Sequence, residues 1–592
     1  MPLPDPHMTD QRPVDQTPDR LRPMLIGAGV AAGAFIALFV LYTIQKIGID
    51  VPVWEHWDFL PVIGESYEGG PWLRSIFRPL FGHMVAVPML LFIGFSRLNG
   101  WNLMFEMYWG WAAVLATCVV LTRWVRAMRL PLPLKVLFFV CMALLVFGLR
   151  ASELTLNGLN SGVFLSYFLI VLTIELAREP QTSWLRSIAA AVTGLLATWS
   201  WGAGILVWPV GGLLLLLHTR DRRGKIAVWC ALGLVALSPF VLFRVNDIAT
   251  AAPHDVARMP RWFLNMVSAP YSVKARIVPA ALLLPLMIAT VGVLGSRAYR
   301  SRALVPELLP WAALLAHGLL TILLVLYMRT VSSDFFPAQP RYAFVAAFFS
   351  VGVLGLFLLA VRELMEKASP RLRQAAWGAA AAVLLIVGGR SAYMSHEVYT
   401  LLTGWQPMRS ALDAFMRRAP QYATEGQFLH IVQQRGDLIR GGLATLRRWH
   451  LGPYRTAAAA VPPLPLEEWI GKGLQANDVE LGVNQSVLRG NGDLEVYGWA
   501  VDRQGVRPAE FVVASAEGKI LEQALTDIMS YPPAPGTDPT IPHGWRLMIP
   551  ADKLRALAHP TELQLIAITR DGRTRSLSLP LPEGLRAATR LP

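Results

Sequence analysis

Apolar stretches near the ~20 residues that a helix needs to cross a bilayer recur along most of this chain. They lie at about 24–45, 102–122, 134–149, 162–177, 187–201, 203–218, 226–244, 277–295, 306–328, 342–361 and 375–389. Roughly eleven such runs confine the chain to one fold class. Inside lipid every backbone N–H and C=O must be bonded within the protein, and a helix does this within one segment. The expectation is an α-helical polytopic membrane protein with about 11 spans. The 187–218 stretch reads as two short helices broken near Gly202 and Gly204. Only 16% of the 592 residues are charged and 54% are hydrophobic, where soluble domains are about a quarter charged. This excludes an ordinary soluble enzyme and a disordered or collagen-like chain.

The net charge of +14 is read as topology and not as affinity for nucleic acid. Basic residues gather between the apolar runs, in RWVRAMR (123–129), HTRDRRGK (218–225), SRAYRSR (296–302) and RELMEKASPRLR (362–373). The positive-inside rule puts these segments in the cytoplasm. The N-terminus is then cytoplasmic and the C-terminal part periplasmic, in the inner membrane of a bacterium with a periplasm. The apolar run 80–98 reads as a helix on the outer membrane surface, because a further span there would reverse the basic loops. Residues 1–22 read as a disordered cytoplasmic tail and the run after them as an uncleaved anchor. Cys118, Cys141 and Cys230 lie inside apolar runs and read as small buried hydrophobes.

Four segments follow: the tail 1–22, a transmembrane domain 23–390 with an outer loop 46–101, a periplasmic helical linker 391–474, and a domain 475–592. Segments 406–418 and 436–450 look amphipathic, and 457–469 reads as a Pro- and Ala-rich linker. From about 475 the period becomes alternating. Candidate strands 493–502, 509–522, 544–550 and 561–580, with a Pro-rich loop at 533–542, describe a small all-β domain of sandwich type.

The outer loop holds most of the candidate chemistry. In VPVWEHWDFLPVIGESYEGG (51–70), Glu55, Asp58, Glu65 and Glu68 fall within fourteen positions. Trp54 and Trp57 flank Glu55, and such rings favour the headgroup level. A carboxylate partly desolvated between them gains proton affinity and suits a general base; a solvated acidic loop with two anchors is the plainer alternative. Other polar residues at outer span ends are Arg150, Glu153, Asn157, Asn160, Arg329, Asp334, Arg341 and Tyr342. Arg329 and Arg341 suit a lipid-linked phosphate, which arginine grips with two parallel bonds, or are simply topogenic. No zinc-protease, serine-hydrolase, P-loop or dinucleotide motif occurs in proper context.

The segment WEHWD (54–58) resembles the W-[DE]-x-W-D segment of bacterial polytopic proteins related to the GT-C glycosyltransferases. In that group the loop continues through H-N-E-H-R-x-x-x-x-P to L-x-G-W-N, and here His83, Pro88, Leu98, Gly100, Trp101 and Asn102 are kept. ELTLNGLN (153–160) resembles E-N-x-x-x-G-x-Q, with Asn160 for Gln. WGAGILVWPVGG resembles a G-x-x-x-W-P-x-G hairpin, and QPRY (339–342) an S-R-Y segment. Leu80, Phe81, Gly82 and Met84 depart from the group's His, Asn, Glu and Arg, and Glu55 stands for its usual Asp. The C-terminal V-x-G-W-A-x-D (496–502) and Gly544 to Pro550 resemble a β-sandwich module of bacterial glycan-related proteins. Its Trp499 and Trp545 are either core residues or sugar-stacking ones.

The resemblance implies a GT-C-like transferase moving sugar from a polyprenyl-phosphate donor to a periplasmic glycan or lipid acceptor. Glu55 would be the base, with Asp58 supporting it or binding a divalent metal. Arg329 and Arg341 would hold the donor phosphate. Trp54, Trp57, His83, Glu153, Asn160 and Tyr342 would shape the pocket. A lipid-linked glycan transporter and an inactive scaffold are the alternatives.

Overall fold

The computed structural model describes residues 18–80, 83–178, 183–218, 222–243, 256–272, 278–300, 304–329, 339–404, 436–455, 476–490, 492–503, 507–509, 511–526, 544–557, 561–569 and 573–582. The expected segments 406–418, 457–469 and 533–542, Asp334, Phe81, Gly82 and residues 1–17 lie outside these. The chain divides into two compact bodies. The first comprises Met1–Lys46, Ile76–Pro88 and Glu106–Tyr399, and the second Ile47–Ser75, Met89–Phe105 and Thr400–Pro592.

The first body is a helical bundle. Among the described residues nine helices are long and apolar enough to cross a membrane: Leu21–Ile47, Leu103–Ala127, Leu132–Thr155, Gly158–Ala177, Arg223–Leu242, Val278–Arg300, Val305–Arg329, Pro340–Met365 and Pro370–Gly404. The two remaining expected positions hold the shorter apolar helices Trp184–Thr198 and Gly202–Leu217. The break expected near Gly202 and Gly204 is present. Gly204 turns so tightly that an added Cβ would stand 2.1 Å from the Ala197 carbonyl oxygen. The run 80–98 yields only the 14-residue helix Ala86–Asn99, too short to span. Cys118 and Cys141 are buried as expected, but Cys230 faces outward.

Pro340–Met365 is the central helix, with 89% of its apolar window enclosed. It meets Val305–Arg329 at backbone distance. A Cβ on Gly318 would lie 2.9 Å from Phe349 Cα, and one on Gly352 2.8 Å from the Leu315 nitrogen. Small residues allow such approach, and dispersion then replaces the hydrophobic driving force that lipid removes. At the other end of these two helices Arg362 grips Glu307 at 2.7 Å.

In the second body helix His56–Glu68 packs on Gly436–Arg448, a helix that covers the expected amphipathic segment 436–450. Gly442 makes room for Trp57 and Leu60, each 2.8 Å from where its Cβ would be. Arg448 pairs with Glu68 at 2.7 Å, and Tyr67 stacks on Trp449 with centroids 5.0 Å apart.

The C-terminal domain is all-β and antiparallel. Its strands are β1 (Val479–Leu488), β2 (Leu494–Asp502), β3 (Arg507–Pro508), β4 (Phe511–Ala516), β5 (Lys519–Leu525), β6 (Gly544–Ile549), β7 (Glu562–Ile568) and β8 (Thr574–Pro580). One sheet has the order β1-β2-β3 with β6 also on β2, and the other β5-β4-β7-β8. Trp545, Val496, Leu547, Val512 and Leu565 are among the residues of the shared core. The expected strand 509–522 is a hairpin, because Glu517 and Gly518 both take positive φ (50° and 74°), as a two-residue reversing turn requires. The expected strand 561–580 is likewise the two strands β7 and β8. β1 was not anticipated.

Glu522 on β5 is buried, with Lys553 3.6 Å away. Burial pushes its carboxyl up to about 7, against the pull of the Gln523 amide and Lys553. The native state therefore holds a proton that the unfolded chain releases near 4.5, so stability falls as pH rises from about 4.5 to 7. Glu522→Gln is expected to remove this slope, which corresponds to about 3 kcal/mol. Hydrogen exchange of β5 and β4 amides at pH 5 and pH 8 in the full-length protein measures it. An equal slope in the variant would contradict the assignment.

Candidate functional site

The first body has a recessed end. His317 Nε2 lies 3.1 Å from the Ala203 carbonyl oxygen. His317 stands twelve residues before Arg329, where its helix ends, which is roughly 18 Å of helix axis at 1.5 Å per residue. The turn between the two short helices therefore stops well short of the end of Val305–Arg329. Residues 76–80 and 83–88 pack against the turn there. Phe77 meets Trp199 edge-on at 5.2 Å, His83 stacks on Trp201 at 4.4 Å, and the Val87 N–H donates to the Trp199 carbonyl at 3.0 Å.

Gly202 makes the histidine stack fit, because a Cβ there would sit 2.4 Å from His83 Nδ1. That nitrogen is buried without a hydrogen-bond partner among the described residues. Burial, and then the positive charge of Arg329, lower the His83 pKa to about 4. The imidazole is thus neutral at pH 7, able to accept or donate a hydrogen bond.

A second group of the expected residues gathers beside it. Arg341 Nε lies 3.0 Å from Glu153 Oε1. Asn160 Nδ2 donates to the Glu153 carbonyl at 3.2 Å, and Arg341 lies 5.9 Å from the ring of the buried Tyr342. Two residues past Asn160, Gly162 backs onto Pro88 and the Ser200 carbonyl. The buried Arg150 donates to Ser272 O at 3.2 Å, and Arg390 to Tyr271 O at 2.9 Å. Glu153, Asn160, Arg341, Tyr342, His83 and Arg329 thus share one end of one body. Arg341 already has a carboxylate partner, which its reading as a phosphate ligand did not foresee.

Glu55, Asp58, Trp54 and Trp57 belong to the second body. Its acids divide by commitment. Glu65 Oε2 accepts from Ser75 at 2.9 Å, and Glu68 holds Arg448. The half-buried Glu55 precedes helix His56–Glu68 as its N-cap and makes no side-chain capping bond. Trp54 directly before it has φ of 51°. This left-handed value is rare for a bulky residue, and such strain, about 1–3 kcal/mol, persists only where surroundings enforce it. Trp57 is enclosed, its Nε1 donating to Pro52 O at 3.1 Å. That corrects its reading as a headgroup anchor: the ring packs inside protein. Among the described residues no three His, Cys, Asp or Glu side chains converge on a metal position, and no ligand set is assigned to Asp58.

Sequence reasoning missed Trp201, whose ring holds His83, and the strain at Trp54. The Trp-Gly-Ala-Gly run at the helix break was the available signal for the first. The second has no sequence signal.

In the unfolded chain His83 takes a proton near 6.5, and in the folded protein only near pH 4. Its contribution to stability is intact above pH 6.5 and is lost as pH falls to about 4. His83→Gln is expected to reduce the stability difference between pH 7 and pH 4.5 by about 2 kcal/mol, read from denaturant unfolding in detergent; an unchanged acid profile would contradict it. No known protein family matches this chain, and no curated protein matches it, so the transferase resemblance rests on its short motifs alone.

Proposed function

We propose that this protein is a membrane glycosyltransferase using a polyprenyl-phosphate sugar, with its acceptor a glycan or lipid on the periplasmic face of a bacterial inner membrane. The observation that carries this reading is the Glu55 carboxylate, which has no ion pair among the described residues and is set at a helix start behind a strained Trp54. A general base has to be free of competing ion pairs and held in place.

In the reaction, the Glu55 carboxylate takes the acceptor hydroxyl proton. The acceptor oxygen bonds to the anomeric carbon as the bond from that carbon to the phosphate oxygen breaks. Polyprenyl phosphate leaves with the electron pair, and the anomeric configuration inverts. Asp58 supports the base. In the first body, Arg329 and Arg341 are assigned the donor phosphate, with Glu153 orienting Arg341. The neutral His83, Asn160 and Tyr342 accompany these arginines in the first body, and Trp54 accompanies Glu55 in the second.

One observation favours transport of a lipid-linked glycan instead. His317 is enclosed within a span beside Tyr167, with ring centroids 5.8 Å apart, and intramembrane histidines mark substrate or proton paths. Purified protein given a radiolabelled polyprenyl-phosphate sugar separates the readings. Turnover supports the transferase, translocation without turnover the transporter, and neither result the scaffold. Glu55→Gln is expected to lower turnover by about 10²–10⁴-fold with protein level and insertion unchanged. Wild-type turnover in that variant would remove Glu55 from the mechanism.

A further inference from the structure

The β domain contains two Gly-Trp dipeptides, Gly498-Trp499 on β2 and Gly544-Trp545 on β6. The antiparallel register pairs Gly498 with Trp545 and Trp499 with Gly544. Side chains alternate across a strand, so the two indoles go to opposite faces of the sheet. Trp545 is fully buried and closes over Gly498, where a Cβ would come within 2.3 Å of its ring. Trp499 takes the outer face and is half-buried. It leans over Gly482 of β1, where a Cβ would come within 2.5 Å of the ring.

Both cross-strand neighbours of Trp499 are thus glycines, Gly482 and Gly544. Among the described residues no cross-strand side chain rises beside the indole in that row. The next row on the same face is Gln485, Tyr497 and Arg546, with the Arg546 guanidinium 5.5 Å from the Tyr497 ring centroid. In the row beyond, Glu495 is fully enclosed. It accepts the Tyr497 hydroxyl and ion-pairs with Arg489 and Arg546. The side chains of both arginines remain 50% exposed. One enclosed carboxylate thus fixes two half-exposed guanidiniums, leaving one positive charge in excess.

We propose that this face binds a glycan strand that carries carboxylates. A pyranose ring presents an apolar C–H face that stacks on a flat indole. The indole covers Gly482, and among the described residues no side chain of that row stands beside it, so such a ring can lie against its exposed part. The prefixed guanidiniums donate paired hydrogen bonds to a sugar carboxylate, and Glu495 has already met the entropy of ordering them. Aromatic cover of a glycine backbone explains a Trp over Gly482. It does not explain two arginines held beside it around one enclosed carboxylate. The proposal does not depend on the transferase reading, since it concerns binding alone.

The test uses full-length protein in nanodiscs, titrated with oligogalacturonate and with a neutral β-glucan oligomer of equal length. The expected result is preference for the uronate, at least tenfold weaker binding in Trp499→Ala, and loss of the preference in Arg546→Gln. Trp499→Phe keeps an aromatic face and should retain most of the affinity; it also keeps the test open if Trp499→Ala misfolds. Hydrogen exchange of β2 and β6 reports folding in each variant. Equal affinity for both oligomers, no uronate binding by the wild type, or unchanged binding in a folded Trp499→Ala would overturn the proposal.

Discussion

Two helices touching backbone to backbone organise the first body. Gly318 against Phe349 and Gly352 against Leu315 bring Val305–Arg329 and Pro340–Met365 closer than larger side chains would permit. The glycine next to His317 faces the central helix, while His317 itself reaches Ala203 in the short-helix turn. One pair of neighbouring residues thus joins the central helix to the short-helix turn. Because dispersion falls off steeply with separation, that contact tolerates little change. The polar groups at the recessed end can be precise because the apolar packing beneath them is rigid.

Charge is handled differently in each part of the molecule. Within the bundle several carboxylates sit with a cation: Glu153 with Arg341, Glu307 with Arg362, and Glu175 with Arg178 at 2.6 Å and the Trp124 indole. Uncompensated ions in such surroundings are costly. In the loop helix the acids split into partnered ones, Glu65 and Glu68, and the uncapped Glu55. On the β domain an enclosed Glu495 serves as the hub of two arginines. The same residue type is thus structural, catalytic in the proposed mechanism, or organising, according to how many partners surround it.

Helix positions in the bundle were legible because lipid imposes a long, uniform apolar signal, and even the break at Gly202 was visible in the sequence. Strand boundaries were less so. The Glu517-Gly518 turn is hidden because Glu517 is not a residue type favoured at positive φ, and β1 because VELGVNQSVL alternates weakly. At the site, residue types sufficed to nominate His83, Glu153 and Arg341. Their partners did not follow, because Arg341 meets Glu153 across nearly two hundred residues of chain. Trp57 was misjudged for a general reason: tryptophan prefers both headgroups and cores, and only packing against Gly442 separates the two.

The short helix pair also bears on the lipid around it. Trp184–Thr198 spans only about 22 Å at helical rise, against a hydrocarbon thickness of about 30 Å. Leu185, Ile188, Val192, Leu213 and Leu216 are exposed along this pair, so its outer flank meets lipid and not neighbouring helices. A bilayer meeting such a flank thins locally, at a fraction of a kcal/mol for each Å of mismatch. A dimple on one side of the protein would bring headgroups toward the level of the recess, and lipid of lower thickness would gather there in preference to the bulk.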